Sequence, residues 1–99
     1  MGNSSARPVV LVTGASSGIG DTTVRRFAAG GYDIVAVARR KGRLEQLASE
    51  LSGSARVAIL AADVTARDTP ARAVELAMSV FGRLDCLVNN AGSGKWAPV

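Results

Sequence analysis

The sequence predicts an α/β fold, a doubly wound parallel sheet covered by helices on both faces, and two observations predict it. Short, near-continuous apolar runs alternate with segments of helical period, in the order βαβαβαβ. Turn residues fall at the joins, at Gly14, Gly30-Gly31 and Ser52-Gly53. At 99 residues the chain is one domain at most, and no linker, repeat or low-complexity segment divides it.

Each element has its own signal. Val9 to Thr13 is apolar and β-branched between Pro8 and Gly14, which reads as a buried strand. Gly18 to Ala29 reads as a helix with Ile19, Thr23 and Phe27 on one face, and Gly30-Gly31 stops it. Ile34 to Ala38 is a second buried strand. Arg43 to Leu51 carries Leu44, Leu47, Ala48 and Leu51 at helical spacing, and Ser52-Gly53 ends it. Val57 to Ala61 is a third strand. Ala71 to Phe81 is a helix with Val74, Ala77, Met78 and Phe81 in register, Thr69 as its N-cap and Pro70 in its first turn. Leu84 to Val88 is a fourth strand. A loop from Asn89 to Gly94 then leads into Lys95-Trp96-Ala97-Pro98-Val99, for which no element is expected.

Composition narrows the function. The chain is 47% hydrophobic and 20% charged, which is globular chemistry rather than disorder. Its formal charge is +4, and the one dense basic group is Arg39-Arg40-Lys41-Gly42-Arg43. No second basic stripe or set of stacking aromatics accompanies that group, so nucleic acid is not the expected partner. With no histidine and a single cysteine, a transition-metal site is not expected. Cys86 lies in an apolar run and reads as a small buried hydrophobe. Residues 1–7 are polar, read as a disordered lead and lack the apolar core of a signal peptide. No apolar run has the length of a membrane span, so a cytoplasmic location without membrane contact is expected.

The informative stretch is Leu11-Val12-Thr13-Gly14-Ala15-Ser16-Ser17-Gly18-Ile19-Gly20. A strand that turns sharply into a helix presents the helix's free amides and its dipole to an anion. Gly14 permits the turn, Gly18 lets the backbone approach a pyrophosphate, and Gly20 lets the helix pack close to the strand. Thr13, Ser16 and Ser17 add hydroxyls. The spacing is Gly-x-x-x-Gly-x-Gly, and no Gly-Lys-Ser/Thr follows, so this is not a P-loop.

Thr13-Gly14-Ala15-Ser16-Ser17-Gly18-Ile19-Gly20 resembles the nucleotide-binding signature of the short-chain dehydrogenase/reductase family. Asp63-Val64 follows the third strand, where that family places its adenine-contacting acid. Asn89-Asn90-Ala91-Gly92 resembles its fourth-strand motif. The three motifs stand in the family's order, and the resemblance covers essentially the whole chain. It implies a Rossmann-type sheet with strand order 3-2-1-4 and NAD or NADP as ligand. It assigns Gly14, Ser16, Ser17, Gly18, Ile19 and Gly20 to the cofactor. Asp63 then bonds the adenine amino group, or alternatively makes only local backbone bonds as a turn residue. Val64 offers its backbone and apolar side. Asn89 ties the sheet together, while Asn90, Ala91 and Gly92 line the ribose and nicotinamide side. Trp96 reads as packing rather than as a substrate contact.

Cofactor choice is decided at the end of the second strand. An acid there bonds a ribose 2′-hydroxyl, whereas an arginine accommodates a 2′-phosphate. Here Ala38 occupies the acid's place and Arg39 and Arg40 follow. NADP(H) is therefore expected over NAD(H), with Arg39 the main contact and Arg40 secondary. Lys41 and Arg43 read as a solvated helix entry.

The resemblance also implies hydride exchange with a carbonyl or alcohol substrate in a longer, homo-oligomeric parent. In that family the proton donor is the Tyr of a Tyr-x-x-x-Lys pair with a Ser nearby. The single tyrosine here, Tyr32, is followed four residues later by Ala36 and precedes the second strand. No catalytic residue is therefore assigned, and the 99 residues alone are expected to be inactive. The chain reads as the N-terminal part of one NADP-binding Rossmann domain, with the fourth strand left as an exposed apolar edge that favours aggregation. The alternative is a short protein that binds nucleotide without catalysis, as a redox sensor or a partner to another chain.

Overall fold

A computed structural model of the chain describes residues 6–16, 18–90 and 95–98, the last four as backbone alone. The elements run β1 (Val9–Thr13), α1 (Gly18–Ala29), β2 (Asp33–Ala38), α2 (Lys41–Glu50), β3 (Val57–Ala61), α3 (Thr69–Phe81), β4 (Cys86–Asn89) and β5 (Lys95–Pro98). They form one sheet in the order β3-β2-β1-β4-β5. The first four strands are parallel, as the apolar runs and their helical crossovers require. Strand order 3-2-1-4 is the Rossmann arrangement expected.

Strand alternation builds two cores. Val10, Val12, Ile34, Ala36, Cys86 and Val88 face α1 and α2, where Val24, Ala28, Leu44 and Leu47 meet them. Val9, Leu11, Val35 and Val37 face the other way and are covered by Ala73, Ala77 and Phe81 of α3. A strand covered on both faces favours apolar residues on each, which is why β2 reads as a continuous run from Ile34 to Ala38.

The helices expose and bury different faces from those expected. α1 buries Gly20, Val24 and Ala28, and Ile19 is 74% exposed. The face is turned by one residue because Gly20 is pressed onto β1's terminal turn. α3 buries Thr69, Ala73, Ala77 and Phe81, leaving Val74 and Met78 exposed. Its N-cap is Asp68 rather than Thr69, whose hydroxyl instead donates to the carbonyl of Asp63 at 2.6 Å.

Two further expectations are corrected. Lys95–Pro98, given no element from the sequence, pairs antiparallel with β4 in the register Cys86↔Pro98 to Asn89↔Lys95. β4 is therefore an interior strand, not an edge. Its open N–H and C=O groups are met by the segment that follows it, and the new edge strand carries Lys95 and Pro98, residue types that discourage further pairing. At the other end, Arg7 is held: its guanidinium donates to the carbonyl oxygens of Gly31, Ser54 and Tyr32 at 2.8–3.1 Å.

Candidate functional site

The carboxyl ends of the parallel strands converge at one edge of the sheet. Thr13 sits level with Val37 on one side and Asn89 on the other. β1 is thus flanked by β2 and β4, whose crossovers leave in opposite directions. This is the switch point at which doubly wound sheets open a crevice.

The glycine turn occupies that crevice. Gly14 has φ 64°, a left-handed conformation that only glycine adopts at little cost. The turn is pinned to β2 by the Ala15 N–H, which donates to the Val37 carbonyl at 3.1 Å. A Cβ on Gly20 would overlap the Gly14 carbonyl, so α1 can start this close to the strand only with glycine there. A Cβ on Gly18 would meet nothing within 4 Å, which leaves open space in front of the first turn of α1. The first amides of a helix have no partner within it, which makes such a terminus a general anion-binding position.

A cavity of about 550 Å³ lies beside the turn. Gly14, Ser16 and Gly18 form one wall, and Ala38, Arg39, Arg40 and Arg43 form another. Val64 and Asn90 complete the lining. Ala38 is buried, so no side-chain acid stands at the end of β2. Arg39, Arg40 and Arg43 make no ion pair among the described residues. Other arginines do: Arg83 pairs with Asp85 at 2.8 Å, and Arg25 bridges Asp21 of α1 to Glu50 of α2.

The remaining residues divide as follows. Asp63 accepts both the N–H and the hydroxyl of Thr65 through Oδ1, at 2.8 and 2.6 Å. The local turn bonds are thus real, yet they occupy one oxygen only. The Thr65 hydroxyl first, then its N–H and the positive Arg39, hold the Asp63 carboxyl below its usual range, so it is ionised at neutral pH. Asn89 accepts a hydrogen bond from the Thr13 hydroxyl, the sheet tie expected of it. Asn90 places a buried amide nitrogen, Nδ2, without a partner among the described residues, in the lining of the cavity. Ile19 is exposed beside Gly18 and does not line the cavity. Ser17, Ala91 and Gly92 lie outside the described residues.

Arg43 was missed from the sequence. It stands in the first turn of α2, on the side of the helix that meets the glycine turn. Its Nη2 donates a long hydrogen bond of 3.5 Å to the Ser16 carbonyl.

Tyr32 sits at the opposite end of the sheet. It precedes β2, and its ring packs edge-on against Phe27 with centroids 4.8 Å apart. Among the described residues no helix is long and apolar enough to cross a membrane, and no cluster of three metal-ligating side chains occurs.

A parallel sheet with this switch point and a glycine turn over its crevice defines a nucleotide-binding domain of Rossmann type. The short chain dehydrogenase family profile matches residues 8–99, and the chain belongs to that family. It is 49% identical over 87 residues to an 11-beta-hydroxysteroid dehydrogenase 1A of Arabidopsis thaliana, covering 85% of this chain and 25% of that protein. It superposes with a TM-score of 0.82 and 40% identity on an L-sorbose reductase of Gluconobacter frateurii complexed with NADPH and L-sorbose, covering 96% of this chain and 37% of that one. A 3-oxoacyl-[acyl-carrier protein] reductase of Brucella melitensis in complex with NAD matches with a TM-score of 0.80 and 41% identity, over 90% and 35% of the two chains. The chain therefore spans between a quarter and some two fifths of the length of these proteins.

Proposed function

We propose that this chain is the N-terminal, NADP-binding segment of an oxidoreductase that moves hydride between NADP(H) and a carbonyl or alcohol substrate. The observation that carries the reading is the cavity wall beyond β2. Three arginines without ion-pair partners among the described residues line it, and Ala38 stands where a ribose-binding acid would repel a phosphate. A nicotinamide cofactor fits the residues present. The turn from Gly14 to Gly20 and the first amides of α1 receive the pyrophosphate. Arg39 takes the 2′-phosphate with charge-assisted hydrogen bonds, and Arg40 adds to the local charge. The second oxygen of Asp63 accepts from the adenine amino group while Val64 packs against the ring. Asn90, whose Nδ2 has no partner among the described residues, serves the ribose and nicotinamide side, and Ser17, Ala91 and Gly92, which lie outside the described residues, are assigned to the cofactor with it.

The bound cofactor supplies the hydride chemistry; this segment binds and orients it. A proton donor for the developing alkoxide is still required. Tyr32 cannot serve, since it lies at the other end of the strands and lacks a lysine four residues on. The segment by itself is proposed to be inactive in carbonyl reduction.

Relatives in complex with NADPH and with NAD both superpose on this chain, so the choice rests on its own arginines. The test is a titration of the chain with NADPH and NADH, repeated for Arg39→Ala. The reading predicts tighter NADPH binding and a loss of that preference in the variant. Equal affinities, or an unchanged preference in the variant, would contradict it.

A further inference from the structure

We infer that Arg43 is a specificity-determining residue of the cofactor site, a clamp that joins 2′-phosphate recognition to the glycine turn. The inference rests on the NADP reading above and assigns a role to a residue the sequence pattern left as solvated surface.

Three features carry it. Arg43 lines the same cavity as Arg39 and Arg40, although it belongs to the body of α2 rather than to the end of β2. Its guanidinium reaches across the cavity mouth to the Ser16 carbonyl at 3.5 Å, with no carboxylate paired to it among the described residues. And a guanidinium has five N–H donors in a rigid fork, so one nitrogen on Ser16 leaves a second edge for another acceptor.

That acceptor must be an anion. The cavity is lined by three arginines and, among the described residues, by no carboxylate; Asp21 and Glu50 flank Arg43 on the side away from it and are both engaged by Arg25. A phosphomonoester on the adenosine ribose is dianionic near neutral pH and offers oxygens enough for Arg39 and Arg43 together. Arg39 holds it from the strand end. Arg43 holds it from the helix and, through Ser16, braces the turn that receives the pyrophosphate. An unphosphorylated ribose gives Arg43 nothing to accept its second edge, so it gains only the bracing.

The experiment compares NADPH, NADH and adenosine 2′,5′-bisphosphate as probes on the 99-residue chain, its Arg43→Ala variant and its Arg43→Lys variant. Arg43 is exposed, so its replacement is expected to leave the fold intact, and melting curves on each variant check this. The inference predicts that Arg43→Ala weakens NADPH and the bisphosphate by about tenfold and NADH by less than about twofold. Arg43→Lys restores part of the NADPH affinity, because the charge returns without the fork. The NADPH affinity of Arg43→Ala also falls less steeply with added salt. Equal losses for NADPH and NADH would overturn the inference, since Arg43 would then only brace the turn. So would no loss for any probe. A parent chain with equal affinities for NADPH and NADH would instead overturn the NADP reading itself, and this inference with it.

Discussion

The hydroxyl of Thr13 donates to Asn89 Oδ1 at 2.9 Å and accepts the N–H of Asn90 at 3.2 Å. Asn89 and Asn90 stand 76 and 77 positions from Thr13 in sequence, and their bonds close the seam between β1 and β4 where the cavity begins. One oxygen thereby ties the end of β1 to the backbone of Asn90, a residue that lines the site. Replacing Thr13 with the isosteric valine leaves Asn89 Oδ1 and the Asn90 N–H without this partner. The expected cost is about 1 kcal/mol, with weaker NADPH binding, read by urea unfolding and by titration. An unchanged midpoint would show the seam to be held by the ladder bonds alone.

Gly18 and Gly20 are expected to respond in opposite ways to alanine. Gly20→Ala drives a methyl into the Gly14 carbonyl and forces α1 off the strand, at an expected cost of about 2–3 kcal/mol. Gly18→Ala meets open space and changes stability by less than about 1 kcal/mol. Its methyl enters the room left for the pyrophosphate, so NADPH affinity falls by about tenfold. Unfolding curves and titrations on the two variants separate the effects.

Acid sensitivity is expected to follow Asp85. The Arg83 guanidinium, bonded at 2.8 Å to both carboxylate oxygens, is the main cause that holds this carboxyl below its ordinary value, and the Val9 N–H adds to it. A carboxyl depressed in the folded state contributes stability above its unfolded pKa and loses it as pH falls through the folded value. Stability is therefore expected to fall as pH drops below about 5, through the carboxylate range. Asp85→Asn flattens that fall, which melting temperatures measured across the range will read.

Local signals were enough for the bounds of β1, α1 and β3, because each is an apolar or periodic run closed by a turn residue. Long-range partners set the rest. β2 begins at Asp33, a charged residue that is buried because its Oδ1 accepts the Arg56 N–H at 3.0 Å and faces Arg7 at 3.6 Å. Nothing within a sequence window shows either partner. β5 has no alternation and ends in proline, so only its pairing with β4 reveals it.

The same limit applies to the surface. The apolar area expected at a free β4 edge lies instead on the α3 side, in a groove of about 500 Å³ lined by Leu11, Val74 and Leu87 among others. Of the residues that line the cavity, motif spacing singled out Gly14, Ser16, Gly18, Arg39, Arg40, Val64 and Asn90. It did not supply Arg43, whose place in the lining depends on how α2 is set against the turn and not on its neighbours in sequence.

The most direct test of the account is a crystal structure of the chain with NADPH. It predicts the pyrophosphate over the turn from Gly14 to Gly20 and the 2′-phosphate within hydrogen-bonding distance of Arg39. A nucleotide seated in the apolar groove beside α3, or a 2′-phosphate turned away from all three arginines, would contradict it.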